Sequence, residues 1–313
     1  MGWTGLLAGG VAFVICLGLV PVARRIGLRI GACDHPGEAK IHTQGISLLG
    51  GLAILAGWLP AVLSTTLVRR FDAAMLLSLG GGGIVAFGLG LLDDVLWKNH
   101  PERYRPSVKF AVQIAVAAIL AALLFFGGIR PAYAAAVAAQ LPLLVLYVFG
   151  GMNALNMTDG MDGLAATMTT ISAVGFLVVG MRAGDGALLA YAAALAGSAL
   201  AFLAYNRPPA TVFMGDSGSH LLGFAVAGLA VAATRHAVGL RSFLGPILIL
   251  GLPVGDAGWA VLRRVVHRSP LFGADRGHVY DLLLKGGWSQ TRVLLLLGAV
   301  QAGLVAVGAF LVR

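Results

Sequence analysis

Acidic residues are scarce in this chain of 313 residues, which holds 13 Asp and Glu against 22 Lys and Arg. Charged residues make up 11% of the sequence and hydrophobic residues 58%, and the mean hydropathy is +0.89. Soluble domains carry about 25% charged residues, so this composition excludes a soluble globular protein. Two cysteines, Cys16 and Cys33, are too few for a disulfide scaffold. The composition is that of a polytopic membrane protein.

Long apolar runs divide the chain into about ten predicted membrane spans, since a span needs about 20 mostly apolar residues. The predicted spans are 3–22, 46–68, 74–92, 107–127, 133–150, 163–181, 187–204, 217–234, 243–262 and 291–312. No stretch is long or polar enough for a separate soluble domain. We therefore predict one all-α integral membrane domain over residues 1–313, with a long cytoplasmic loop at about 263–290.

Lys and Arg are distributed unevenly between the two sides of these spans. The richer side holds Arg24, Arg25, Arg29, Lys40, Lys98, Arg103, Arg105, Arg207, Arg263, Arg264, Arg268, Arg276 and Lys285. Because cytoplasmic loops are enriched in basic residues, this side is predicted to be cytoplasmic, with both termini outside. The net charge of +9 largely reflects this topology signal and basic residues that attract anionic lipid. No nucleic-acid partner is expected.

Most acidic residues fall on the same predicted side. They are Asp34, Glu38, Asp93, Asp94, Glu102, Asp159, Asp162, Asp216, Asp275 and Asp281. A carboxylate at the centre of a membrane helix costs about 2.5–3.5 kcal/mol on insertion scales. Their concentration at one face therefore indicates a site for a metal, a proton or a charged ligand. Asp256 is an exception, since it is predicted to lie within the ninth span.

Four oxygen-bearing side chains recur at every third position before the sixth predicted span: Asn153, Asn156, Asp159 and Asp162. On a helical or near-helical turn this spacing places them along one face. Hard oxygen ligands suit Mg²⁺, which takes few protein ligands and fills its other positions with water and phosphate. The alternative is a helix-capping turn, because Asn and Asp are favoured caps.

Asp93 and Asp94 end the third predicted span, and neighbouring side chains on a helix point about 100° apart. One is therefore expected to act as a base or approach a metal while the other orients a second group. The alternative is a solvated helix end. Lys109 enters the fourth span, where it is expected either to reach the headgroups or to bind a phosphate as a point charge.

The string from Met214 to Ser219 opens the eighth predicted span. Free backbone N–H groups make a helix start a phosphate site, and Asp216 is expected to anchor a cation there. The alternative is an N-cap by Asp216 or Ser217. In the last cytoplasmic loop, Arg276 and His278 suit a diphosphate, although a lone histidine is more often structural.

Together these features indicate phosphoryl transfer, with carboxylates holding Mg²⁺ and cations on phosphate oxygens. A transporter whose intramembrane acids carry ions is a rival hypothesis, and it depends on deep acids such as Asp256. A membrane phosphatase is a third, although it would require paired histidines, and the histidines here are scattered.

The motifs also resemble those of a known family, the polyprenyl-phosphate N-acetylhexosamine-1-phosphate transferases, over roughly residues 30–290. The matching strings are Asp34-x-Pro36-x-x-x-Lys40-x-His42 with Gly50-Gly51, Asp93-Asp94 with Lys109-Phe110-x-x-Gln113, Asn153 through Ala165, Asn206 through Pro208 with Phe213 through Ser219, Pro253-x-x-Asp256 with Arg263-Arg264, and Arg268 through His278. The resemblance implies transfer of a sugar 1-phosphate from a UDP-sugar to a polyprenyl phosphate with release of UMP, as the first membrane step of a cell-envelope polysaccharide. It implies the plasma membrane, with the active site on the cytoplasmic face, and allows a homodimer.

Site residues follow from the same resemblance. Asn156 and Asp216 would bind Mg²⁺, with Mn²⁺ as a substitute. The implied catalytic residues are Asp93, Asp94, Asp159 and Asp162. The implied substrate-binding residues are Lys40, His42, Lys109, Asn153, Asn206, Arg276 and His278.

The final loop resembles the branch that uses UDP-N-acetylglucosamine and undecaprenyl phosphate. The branch that uses UDP-N-acetylmuramoyl-pentapeptide carries three consecutive histidines in this loop, which are absent here. Val279, Tyr280 and Asp281 follow His278 where a His-x-His-His pattern is expected. This departure leaves other UDP-N-acetylhexosamines and the muramoyl-pentapeptide as alternative donors.

Overall fold

A computed structural model describes residues 2–34, 45–69, 75, 77–97, 106–131, 137–235, 239–268 and 276–312. Twelve α-helices lie in these ranges: α1 Gly2–Ile30, α2 Gly50–Arg69, α3 Gly82–Leu92, α4 Pro106–Phe126, α5 Val137–Thr158, α6 Leu164–Ala183, α7 Gly186–Asn206, α8 Gly215–Ala232, α9 Leu240–Ile249, α10 Gly251–Val266, α11 Val279–Lys285 and α12 Gln290–Leu311. Two π-helical turns, Leu77–Gly81 and Asp93–Trp97, flank α3. The all-α, multi-span prediction is confirmed.

Seven helical segments in the described residues are long and apolar enough to cross a membrane: Gly5–Ile30, Leu77–Leu96, Ser107–Phe126, Ala138–Thr158, Leu164–Ala183, Gly186–Asn206 and Gln290–Leu311. The remaining predicted spans correspond to α2, to α8 and to the pair α9 and α10. The apolar part of α2, Gly50–Ser64, is short. The first turn of α8 is polar, because it contains Asp216, Ser219 and His220.

The ninth predicted span, 243–262, is not one straight helix. It is broken between Ile249 and Gly251, and α9 and α10 meet at an angle of 87°. The pair counts as an eighth span only if both halves are taken together. The apolar stretch hides the break because the exposed residues of α10 include Val261, Leu262 and Val265, whereas its buried residues include Asp256 and Arg264.

The centre of the molecule is α8, which packs against α3 and α5 and more lightly against α2. Its residues from Ser217 to Ala232 are all buried. Glycines at the crossings allow this close packing: a Cβ on Gly151 of α5 or on Gly223 of α8 would meet the backbone of the other helix. Close approach through small residues is typical of helices in lipid. As a result, the polar start of α8 lies against the ends of α3 and α5.

A short antiparallel pair of strands fixes the segment that precedes α8. Strand β1, Cys33–Asp34, pairs with β2, Ile46–Ser47, and the N–H of Phe213 donates to the Ser47 carbonyl at 2.9 Å. The two strands bracket residues 35–44. The predicted substrate-binding residues Lys40 and His42 lie in that interval, outside the described residues. Both cysteines are free thiols.

Candidate active site

The start of α8 is held by a carboxylate from another helix. The backbone N–H groups of Asp216 and Ser217 donate to Oδ1 and Oδ2 of Asp94, each at 3.0 Å. First-turn N–H groups have no partner within their own helix, and an anion there interacts favourably with the helix dipole. Asp94 is only 6% exposed. It therefore anchors α8 to the end of α3.

This contact corrects two interpretations of the α8 start. The N–H groups expected to bind phosphate donate to Asp94 instead, and neither Asp216 nor Ser217 caps the helix with its own side chain. The sequence could not reveal this because the capping carboxylate lies 122 positions away from Asp216.

The contact requires a very close approach of two backbones. A Cβ on Gly90, in the last turns of α3, would overlap the carbonyl of Asp216 and the amide nitrogen of Ser217. Gly215 has a φ of +71°, and a side chain there would collide with the Asp94 carboxylate. Glycine is the only residue without a Cβ, so both positions are restricted to it.

Asp93 points to a different partner, as the angular separation of helix neighbours predicts. Its carboxylate, 1% exposed, forms an ion pair with the ammonium of Lys109 on α4. The same ammonium lies 3.6 Å from Oδ2 of Asp216. Two carboxylates from separate helices thus share one cation, which offsets the cost of burying charge.

Asn156 completes this cluster from α5. Its amide nitrogen donates to Oδ1 of Asp216 at 2.9 Å and to the Ser219 hydroxyl at 3.0 Å. We define the site cluster as Asp93, Lys109, Asn156 and Asp216. Lys109 lies within the fourth predicted span, whereas the other three lie just outside the third, fifth and eighth predicted spans. The fold brings all four to one place.

A second buried pair, Gln113 and His220, connects α4 and α8 one turn beyond Lys109 and Asp216. Gln113 lies four residues after Lys109, and His220 lies four residues after Asp216. His220 Nδ1 is 2.7 Å from the Asp216 carbonyl oxygen and therefore donates to it. Its Nε2 then accepts from the Gln113 amide at 3.2 Å. His220 was not predicted from the sequence, and the matched i, i+4 spacing on α4 and α8 is the signal that could have found it.

The three-residue repeat behaves as expected only in part. Asn153 and Asn156 lie on α5, but the helix ends at Thr158 and the chain turns at Gly160 and Gly163, the latter with a φ of +76°. Asn153 donates to the Phe149 carbonyl of its own helix at 2.9 Å. The four side chains therefore do not share one helical face.

Asp162 and Asn206 instead connect this turn to the segment leading into α8. Oδ2 of Asp162 accepts from the N–H of Ala210 at 2.9 Å. Oδ1 of Asn206 accepts from the N–H of Gly163 at 3.0 Å, and its amide donates to the Val212 carbonyl at 2.9 Å. Both residues thus fix the backbone on which Asp159 and Asp216 stand.

The last loop packs onto that same turn. Tyr280 stacks on His278 with ring centroids 5.6 Å apart, and a Cβ on Gly160 would overlap the Tyr280 hydroxyl. His278 donates through Nδ1 to Asp256 at 2.7 Å. Arg276 is exposed, and its carbonyl accepts from Lys285. Asp256 is therefore not an isolated acid in the middle of a straight span.

The donor types in the site cluster fit a magnesium ion. Asp93, Asp216 and Asn156 offer hard oxygen atoms, and the two carboxylates already converge on one cation, the Lys109 ammonium. Among the described residues no group of three or more His, Cys, Asp or Glu is arranged to hold a metal. Mg²⁺ would therefore take few protein ligands here and depend on phosphate and water for the rest.

Comparison with known proteins places the chain in a family. Residues 76–234 match the model of glycosyl transferase family 4. A Bacillus subtilis relative, named as a probable undecaprenyl-phosphate N-acetylglucosaminyl 1-phosphate transferase, is 32% identical over 92% of this chain and 80% of its own length. A Mycobacterium leprae decaprenyl-phosphate N-acetylglucosaminephosphotransferase is 32% identical over 97% and 82%. A Heliobacterium modesticaldum phospho-N-acetylmuramoyl-pentapeptide-transferase is 32% identical over 94% and 92%.

Proposed function

Because the chain belongs to glycosyl transferase family 4, we propose that it transfers N-acetylglucosamine 1-phosphate from UDP-N-acetylglucosamine to a polyprenyl phosphate. An oxygen of the lipid phosphate attacks the phosphorus that bears the sugar. The phosphoanhydride bond breaks, UMP leaves with the electron pair, and a lipid diphosphate sugar forms. The lipid phosphate is already ionised near neutral pH, so no proton has to be removed before direct attack.

The observation that carries this proposal is the site cluster, where two carboxylates, an amide and a lysine from four helices meet. Lys109 offers a point charge to a phosphate oxygen, and Asp93 holds that ammonium in place. Asp216 and Asn156 present oxygen atoms to a Mg²⁺ on the donor diphosphate. When bound, the ion would neutralise charge that develops on the phosphate oxygens.

Surrounding residues position this cluster and the donor. Asp94 fixes the start of α8, while Asp162 and Asn206 fix the turn that carries Asp159. We assign Asp159, Arg276 and His278 to the nucleotide side, because His278 is held against that turn through Tyr280. Asn153 donates a hydrogen bond within its own helix and lies about one turn before Asn156 on α5. The excess of Lys and Arg in the same gaps supports a plasma-membrane protein whose site faces the cytoplasm.

Transfer of the muramoyl-pentapeptide phosphate is a second candidate, supported by the identity to the Heliobacterium modesticaldum relative. The final loop weighs against it, because Tyr280 stands within the segment where that branch carries histidines. Ion-coupled transport loses its main support, since the deep acid it relied on, Asp256, is bonded to His278.

The test is UMP release by purified protein in detergent, supplied with Mg²⁺, polyprenyl phosphate and one UDP-sugar at a time. We expect release with UDP-N-acetylglucosamine that requires the lipid phosphate. Asp216→Ala should abolish it while leaving the protein folded. Release with UDP-N-acetylmuramoyl-pentapeptide alone would transfer the assignment to the second candidate, and no release with any donor would refute the proposed reaction.

A further inference from the structure

A buried carboxylate outside the site cluster has two partners on the last loop. Asp256 lies on α10, beyond the 87° bend. Its Oδ2 accepts from Nδ1 of His278 at 2.7 Å, and its Oδ1 accepts from the N–H of Val279 at 2.9 Å. The side chains of Asp256 and His278 are 7% and 5% exposed. Burying such a pair is costly unless it is well bonded, and here both carboxylate oxygens are used.

These two hydrogen bonds determine how His278 is presented. A carboxylate only accepts, so Nδ1 must carry the hydrogen, and Nε2 is left as the nitrogen that can meet a ligand. The bond to Val279 fixes the first residue of α11, and Tyr280 stacks on a face of the imidazole with an interplanar angle of 2°. Tyr280 in turn covers Gly160, between Asp159 and Asp162.

We propose that Asp256 is a positioning residue for the transfer reaction, acting through His278. It selects the Nδ1–H tautomer and holds the ring so that Nε2 faces the phosphates of the nucleotide donor. This inference rests on the proposed function, since it assigns a role within that same reaction. It also accounts for the broken ninth span, because only after the bend does α10 place Asp256 beside the loop.

The chain contains a matched control for this arrangement. Asp185 also uses one oxygen to accept from a helix N-terminus, the N–H of Leu188 at 3.0 Å, and the other to bind a cation, Arg235, at 2.6 Å. It precedes α7 at the far end of α6 from Asp162, and α6 has 20 residues, which correspond to about 30 Å of helix. Loss of Asp185 should therefore cost stability without affecting the chemistry.

The experiment compares Asp256→Asn with Asp185→Asn in the UMP-release assay, with thermal unfolding of each variant in detergent. We expect both to unfold at a lower temperature. Only Asp256→Asn should reduce kcat, by about 10- to 100-fold, the range found when the hydrogen-bond partner of a metal-bound histidine is removed. The KM for the UDP-sugar should change by less than about twofold. If Asp256→Asn does not fold, Asp256→Glu takes its place in the experiment. This variant keeps the charge but displaces it, and it should show the same loss of kcat.

The decisive measurement is a double-mutant cycle with His278→Gln. If Asp256 acts through His278, Asp256→Asn should cause no further loss of kcat in the His278→Gln background. An equal loss of kcat from Asp256→Asn in the wild-type and His278→Gln backgrounds would overturn the inference. Normal turnover by Asp256→Asn would overturn it as well. Wild-type protein that releases no UMP would instead refute the proposed function, so the two failures are distinguishable.

Discussion

The close contact between α3 and α8 at Gly90 predicts a large effect when one methyl group is added at this position. In Gly90→Ala the new Cβ would overlap the Asp216 carbonyl and the Ser217 amide nitrogen. These are backbone atoms and cannot rotate away, so α3 and α8 must separate. Overpacking of this kind costs about 1–3 kcal/mol. Separation also weakens the two bonds to the Asp94 carboxylate, and hydrogen bonds to charged groups contribute about 1.5–3 kcal/mol each.

If the weakening of the two bonds amounts to the loss of one of them, the expected loss of stability for Gly90→Ala is about 2–5 kcal/mol, after allowing about 1 kcal/mol for the better helix propensity of alanine. Turnover should fall by about 100-fold, because a displacement of about 1 Å at a reactive site is sufficient for such a loss. Thermal unfolding and UMP release measure the two effects.

Gly88 provides the control on the same helix, since a Cβ added there would have no heavy atom within 4 Å. Gly88→Ala should keep full turnover and gain up to about 1 kcal/mol of stability from propensity. If Gly90→Ala matched Gly88→Ala in unfolding temperature and in turnover, the close approach of α3 and α8 and the role given to it would both be refuted.

Three further substitutions test residues near this contact, and a fourth, Asp281→Asn, serves as a control. Asp94→Asn should lower stability by about 2 kcal/mol, because one of the two backbone N–H groups that donate to residue 94 then faces an amide NH₂ group. The control Asp281→Asn, in the first turn of α11, should cost less than about 1 kcal/mol. Equal unfolding temperatures of the two variants would contradict the anchoring role of Asp94. Lys109→Met should reduce UMP release by at least about 100-fold, as expected when a positioned charge is lost, whereas unchanged release would remove Lys109 from the phosphate site. Gln113→Ala should destabilise the fold by about 1–3 kcal/mol through the unpaired His220 nitrogen, and an unchanged unfolding temperature would show that this pair contributes nothing.

Much of the architecture was predictable because membrane spans are determined by local composition. Each predicted span corresponds to a helix or a bent pair, and the acids gathered on one predicted side include those of the site cluster. The repeat from Asn153 to Asp162 indicated a site, but it could not show that α5 ends at Thr158. After that end the chain turns, and Gly163, whose φ is +76°, directly precedes α6.

Other features could not be predicted because they depend on contacts between distant parts of the chain. Asp94, a predicted catalytic residue, accepts from backbone amides more than 100 positions away, and no local pattern indicates these bonds. Asp256 resembled an intramembrane acid because the apolar run around it gave no indication of the bend. Asn206, a predicted substrate-binding residue, connects two backbone segments through its amide, which the sequence does not indicate.

The most direct test of the central claim is binding of Mn²⁺, as a substitute for Mg²⁺, measured by electron paramagnetic resonance with and without UDP-N-acetylglucosamine. Wild-type protein and Asp185→Asn should bind the ion more tightly when the nucleotide sugar is present, because the donor phosphates complete its coordination. Asp216→Asn should lose this nucleotide-dependent binding. Equal binding by Asp216→Asn and Asp185→Asn would contradict the assignment of the cluster at the start of α8 as the metal and diphosphate site.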